Sequence, residues 1–139
     1  MHDSLTGLFN RAYFMEELKR LEFSRLYPIT IMLADLEGLN AVNYQDNIST
    51  VDELVKHTAN LMRTIFRSED MVARISADEF FALMPRCNAR AGEKALQRVV
   101  NMVEAFNEEK PDMPLRLSLG IATAESGQSL ADTLKLANS

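Results

Sequence analysis

The stretch Met71–Leu83, read as MVARISADEFFAL, constrains this chain more than any other. Two β-prone apolar runs, 71–75 and 80–83, flank four small or acidic residues, Ser76-Ala77-Asp78-Glu79. Short apolar runs joined by a tight polar connector predict a β-hairpin. The connector carries adjacent carboxylates, which suit a divalent cation held against a phosphate. A solvated turn is the ordinary alternative, and acids elsewhere in the chain that reach the same sheet edge weigh against it.

The remaining elements follow from periodicity. Asp3 or Ser4 caps a first turn that Thr6-Gly7 breaks. From the N-cap Asn10, the residues Phe14, Leu18, Leu21 and Leu26 recur at helical spacing until Tyr27-Pro28. Ile29–Leu36 is an apolar, β-prone run, predicted as a central buried strand that delivers Asp35 and Glu37 at its carboxyl end. A turn or short helical segment is expected over 37–42 and a polar loop over 43–50. A helix capped by Ser49 or Thr50 then runs to about Arg67. A long helix is predicted over 89–108, a strand over 115–123, and a last helix capped by Ser129. The resulting expectation is an α+β fold, a central, mainly antiparallel sheet surrounded by helices.

Composition limits the function. The 139 residues are 47% apolar and 25% charged, with a net charge of −5 and a single cysteine, Cys87. This matches one globular domain over 1–139, with no internal disulfide and a thiol suited to a reducing cytoplasm. The acidic balance disfavours DNA or RNA as a partner, because counterion displacement needs a basic face. No run is long enough to span a membrane, so direct membrane insertion is not expected. His2 and His57 have no metal-like spacing, and the eight methionines fall largely on core positions. The abrupt start and the stop inside a helix read as a domain excised from a longer protein.

Five segments together resemble the GGDEF family, the diguanylate cyclase domains of bacterial signalling proteins. HDSLTGLFNRAYF is similar to the family's opening DxLTGLxNRxxF, and DLEGLNAVN takes the place of DxDxFKxxN. RSEDMVARISADEF fits RxxDxxxRxGGDEF, SLGIA fits SxGxA, and LADTLKLA resembles the start of the final helix. The resemblance covers nearly the whole chain and implies a nucleotide-cyclase-like fold with the signature on the hairpin. It implies Mg²⁺ held by Asp35, Asp78 and the Leu36 carbonyl, with Asp78 and Glu79 as the catalytic signature acids. Asn43 and Asp52 take the positions that read guanine, while Ser76 and Ala77 line the phosphate-side turn. Arg67 and Asp70 fall on the family's RxxD site for cyclic di-GMP, with Arg74 and Arg98 added to the same surface. The implied partners are cyclic di-GMP or GTP, a second copy in an antiparallel dimer, and other domains of a parent protein. The implied location is the cytoplasm, including the cytoplasmic part of a membrane-bound sensor.

The departures bear on activity. Ser76 and Ala77 replace the two signature glycines, and a non-glycine residue forced into a left-handed turn costs about 1–2 kcal/mol. Asn40 stands in place of a phosphate-binding Lys, Tyr44 in place of an Asp, and Asn47 and Val51 in place of loop glycines. The chain reaches Ser139 where a second Lys is expected. Removing one positioned donor at a developing charge typically costs about 10²–10³ in rate. The sequence therefore predicts a catalytically impaired GGDEF domain that binds a guanine nucleotide or cyclic di-GMP. An active cyclase and a protein-interaction scaffold without nucleotide are the alternatives.

Overall fold

The computed structural model describes residues 1–37 and 48–138. In chain order they form β1 (Phe9–Asn10), α1 (Arg11–Glu22), β2 (Ile29–Leu36), α2 (Ile48–Ile65), β3 (Met71–Arg74), β4 (Glu79–Met84), α3 (Ala89–Glu109), β5 (Leu117–Ala124) and α4 (Leu130–Ala137). The strands build one five-stranded sheet in the order β1-β3-β4-β2-β5. Only the β1–β3 pair is parallel. The mainly antiparallel sheet covered by helices is the fold expected from the sequence.

β2 is central because its sequence, ITIMLADL, is apolar on both faces of the pleat. Ile29, Ile31 and Leu33 pack with α1 and α4, against Phe14, Leu18 and Leu130. Met32, Ala34 and Leu36 pack on the other face with α2 and α3, against Leu54, Val55, Met62 and Val99. Thr30 is fully buried, and its hydroxyl donates to the Cys87 carbonyl at 2.7 Å and pairs with the Thr123 hydroxyl at 2.8 Å.

The hairpin forms between β3 and β4, with Arg74 opposite Phe80. Phe80 is buried on the α2/α3 side. Phe81 is buried on the opposite side, where its ring meets Phe14 edge-on at 5.4 Å between centroids. Each such side chain contributes about 1.5–3 kcal/mol by leaving water, so both faces of this strand hold the sheet to its helices. Cys87 is a buried free thiol.

Two boundaries and one strand stand out against expectation. α1 stops at Glu22, well before Pro28, because the Ser24 N–H and hydroxyl both take the Leu21 carbonyl. α2 starts at Ile48, which places Ser49 and Thr50 inside the helix rather than at its cap. β1 was not expected at all: it has two residues and is made by backbone pairing of Phe9 with Ala73 and Asn10 with Arg74. The caps at Asn10 and Ser129 are as expected, accepting from the N–H groups of Tyr13 and Asp132. The segment expected over 37–42 falls, from Gly38 onward, outside the described residues.

Candidate functional site at the signature turn

The end of β2 and the start of β4 bring the predicted acids together. Asp35 lies directly opposite Glu79, and alternation places both on the face that carries α1 and α4. One step on, the Leu36 N–H donates to the Asp78 carbonyl at 2.8 Å. A residue's N–H and C=O project to the same edge of an extended strand, so the Leu36 carbonyl also projects toward the connector. β2 ends at Leu36, and Glu37 sits just past it, exposed.

The connector is Ser76-Ala77-Asp78, closed by the Ile75 N–H on the Glu79 carbonyl at 2.8 Å. None of its residues has a positive φ; among the described non-glycine residues only Arg86 does. The strain expected at Ala77 is therefore not incurred. A three-residue connector held by side chains avoids the positive φ that demands glycine. Ala77 is exposed at its tip. The Ser76 hydroxyl lies 2.6 Å from Glu79 Oε1 and 3.2 Å from Asp78 Oδ1 and donates toward these carboxylates. A glycine could supply neither bond.

Asp35 is the strained member. Its Oδ1 is buried without a hydrogen-bond partner. Burial, and then the charges of Glu79, Asp78 and Glu37, push its carboxyl above the ordinary carboxylate range. A folded pKa above the ordinary aspartate value of 3.8 means that the ionised form opposes folding. This penalty is absent below that value, grows as pH rises toward the raised folded pKa and is complete above it. An unpartnered carboxylate oxygen beside a second carboxylate and a carbonyl is an all-oxygen donor set, which fits a hard divalent cation such as Mg²⁺. Among the described residues no three His, Cys, Asp or Glu converge on one point, so the fit rests on two carboxylates plus the carbonyl. Asp35→Asn is expected to stabilise the metal-free domain by up to about 1 kcal/mol, the scale of a cross-strand charge pair. Thermal melts from pH 4 to 8, with and without Mg²⁺, check this. Wild type should lose stability as pH rises and regain it with Mg²⁺, and the variant should do neither.

Arg74 holds the connector from behind. Its Nη2 donates to the Ala77 carbonyl at 2.8 Å, and its Nη1 lies 3.3 Å from both oxygens of Asp3. Asp3 Oδ2 also accepts from the Thr6 N–H and hydroxyl, at 2.9 and 2.8 Å. Burial pushes the Asp3 carboxyl up, but the Thr6 and Arg74 bonds outweigh it and hold the carboxyl below its ordinary value. This clamp ties the opening turn to the signature. Arg74 is thus spent at the signature end of β3 and is not brought to Arg67 at the other end.

Arg67 and Asp70 form a closed pair. Asp70 accepts from the Arg67 backbone N–H at 2.9 Å, Nε at 3.2 Å and Nη2 at 2.9 Å. Arg67 Nη2 also donates to the Pro85 carbonyl at 2.9 Å, and Nη1 reaches Glu69 at 3.2 Å. The Asp70 side chain is 2% exposed and that of Arg67 is 43% exposed, so the arginine faces solvent and the acid orients it. A pocket of about 300 Å³ opens beside the pair. Arg98 lies on the exposed side of α3, with no bond joining it to this pair. Asp52 lies beyond the first turn of α2, half-buried. Asn43, with which it would read guanine, lies outside the described residues, as do Asn40, Tyr44 and Asn47.

The sequence reading missed the Arg74–Asp3 clamp and the carboxylate bonds of Ser76. The first had a signal, since both residues sit inside quoted motifs, but they lie 71 residues apart and are brought together by the pairing of β1 with β3. The second had none, because serine was weighed only as a lost glycine.

Comparison with known proteins agrees with this geometry. The family described as "Diguanylate cyclase, GGDEF domain" matches residues 1–139. The chain is 33% identical over 109 residues to the probable diguanylate cyclase DgcE of Escherichia coli, covering 76% of this chain and 10% of that protein. It superposes on the crystal structure of the FimX GGDEF domain from Pseudomonas aeruginosa with TM-score 0.83 and 25% identity, covering 99% of this chain and 88% of that one. The GGDEF domain of DgcB from Caulobacter crescentus, solved in complex with c-di-GMP, gives TM-score 0.85 at 21% identity, with coverage of 99% and 85%. The chain spans only 10% to 27% of the length of the curated relatives it matches. With its signature hairpin, its RxxD pair and its sheet order in place, the chain belongs to the GGDEF family of diguanylate cyclase domains.

Proposed function

We propose that this GGDEF domain is a catalytically impaired member that serves as a binding module for cyclic di-GMP. The observation that carries the reading is the Arg67–Asp70 pair, preassembled beside a 300 Å³ pocket. Arginine oriented by a buried carboxylate is organised to take a phosphate and to stack on a purine. The complex of the DgcB domain with c-di-GMP supports the same ligand class.

Impairment follows from the signature turn. The Ser76 hydroxyl engages the two acids that a cation and substrate need free. In the intact family turn these positions are glycines, which leave the carboxylates uncapped. Asp35, Asp78 and the Leu36 carbonyl would hold Mg²⁺, which when bound neutralises substrate phosphates. The expected result is no cyclic di-GMP formation from GTP and Mg²⁺ above background at high protein concentration, measured by chromatography of the reaction.

An active cyclase is the second reading, favoured by the unpartnered Asp35 oxygen. Sustained product that Asp78→Ala abolishes would establish it and remove the impairment. In either case the domain acts within 1–139 as one unit of a longer cytoplasmic signalling protein, whose other domains supply the input. A second copy is a natural partner. The net charge of −5 argues against DNA or RNA. Among the described residues no helix is long and apolar enough to cross a membrane.

A further inference from the structure

The pocket beside Arg67 and Asp70 is lined also by His2, Phe9, Arg63 and Phe66, none of which belongs to the RxxD sequence. Arg67 is already neutralised there, by Asp70 and Glu69. Arg63 is not. Its Nη1 donates to the Asn60 side chain at 2.8 Å and its Nη2 donates to the Thr6 carbonyl, both neutral acceptors. No carboxylate pairs with it among the described residues, so it is the pocket's uncompensated cation. Arg63 is exposed, and a guanidinium oriented by neutral oxygens keeps its full charge for an incoming anion.

The other side of the pocket is aromatic. Tyr13, Phe9 and His2 form a stacked row, with centroids 4.5 Å apart between Tyr13 and Phe9 and 4.7 Å between Phe9 and His2. His2 is the end of this row, exposed, its Nδ1 fixed on the Gly7 carbonyl at 3.0 Å. Phe9 is the only ring stacked on it among the described residues. A planar ring fixed in orientation at the mouth of a cationic pocket is a platform for a nucleobase.

We infer that Arg63 and His2 complete the nucleotide site of this chain, Arg63 taking a phosphate and His2 stacking on a guanine. This rests on the proposed function, because it extends the same pocket. It also assigns the phosphate to Arg63, in the last turn of α2, rather than to Arg67 alone.

The test is calorimetric titration of cyclic di-GMP into wild type, Arg67→Ala, Arg63→Gln, His2→Ala and His2→Phe, each first checked for an unchanged melt. Arg63→Gln is expected to weaken binding about tenfold or more and to flatten its salt dependence. His2→Ala should weaken binding about fivefold to tenfold, and His2→Phe should restore it. If wild type binds and Arg67→Ala does not, while Arg63→Gln and His2→Ala stay within twofold of wild type, this inference fails and the proposed function stands. If wild type does not bind, both fail. Should Arg63→Gln unfold because its tie to Thr6 is lost, the His2 pair still decides.

Discussion

Gly120→Ala is expected to destabilise the domain by about 3 kcal/mol, lowering the melting temperature by roughly 10 °C. A Cβ built at Gly120 lies 1.9 Å from the carbonyl oxygen of Ala137, a backbone atom that cannot rotate aside. Gly120 sits in the middle of β5, opposite Leu33 of the central strand. The last turn of α4 crosses the sheet at this point, so relief requires moving the helix that buries Leu130 and Ala137. Gly127 is the control. It has φ +91° with nothing within 4 Å of a built Cβ, so Gly127→Ala incurs only left-handed strain of about 1 kcal/mol. Urea denaturation of both variants checks the ranking. Equal losses would mean that α4 does not press on β5 as described.

This glycine also shows what can be read from sequence and what cannot. SLGIA was recognisable as a motif, but the need for its glycine is a contact with α4 that no local pattern encodes. β2 was fully legible because an apolar run with both faces buried reads as itself. The apolar run 80–83 was legible for the same reason, and the burial of Phe80 and Phe81 on opposite faces follows once both faces are covered. β1 was illegible, since two residues carry no period and the pairing with β3 is tertiary. At the site, Asp35, Asp78 and Glu79 were correctly gathered at one edge. The conformation of the signature turn was misjudged, because glycine was taken to mean positive φ. Here Arg74 and Ser76 shape the connector through side chains instead. The family resemblance adds Arg74 to the surface of Arg67. Its bonds to Asp3 and Ala77 show that a strand separates the two roles. His2 was weighed only as a metal ligand, and Arg63 lies in no motif, although it stands four residues before Arg67 in the last turn of α2.

The second large effect concerns Arg67. Removing its guanidinium deletes the Nε and Nη2 bonds to Asp70, the bond to the Pro85 carbonyl and the ion pair with Glu69. The Arg67 backbone N–H still satisfies Asp70 Oδ2, so the loop between α2 and β3 retains one anchor. Truncating one partner of a buried hydrogen-bonded charge pair typically costs about 2–5 kcal/mol, and the 43% exposure of Arg67 places its loss toward the lower end, about 30-fold to 100-fold in affinity. Asp70→Asn is the companion variant, since it keeps the shape and removes the charge that orients the guanidinium. Its expected loss is smaller than that of Arg67→Ala.

The most direct test of the central claim is therefore the affinity of the purified domain for cyclic di-GMP, measured calorimetrically beside Arg67→Ala. The account predicts saturable binding by wild type and a loss of about 100-fold in a variant that still melts cooperatively. Wild-type protein that is folded yet gives no heat, or a variant that binds as tightly as wild type, would contradict it.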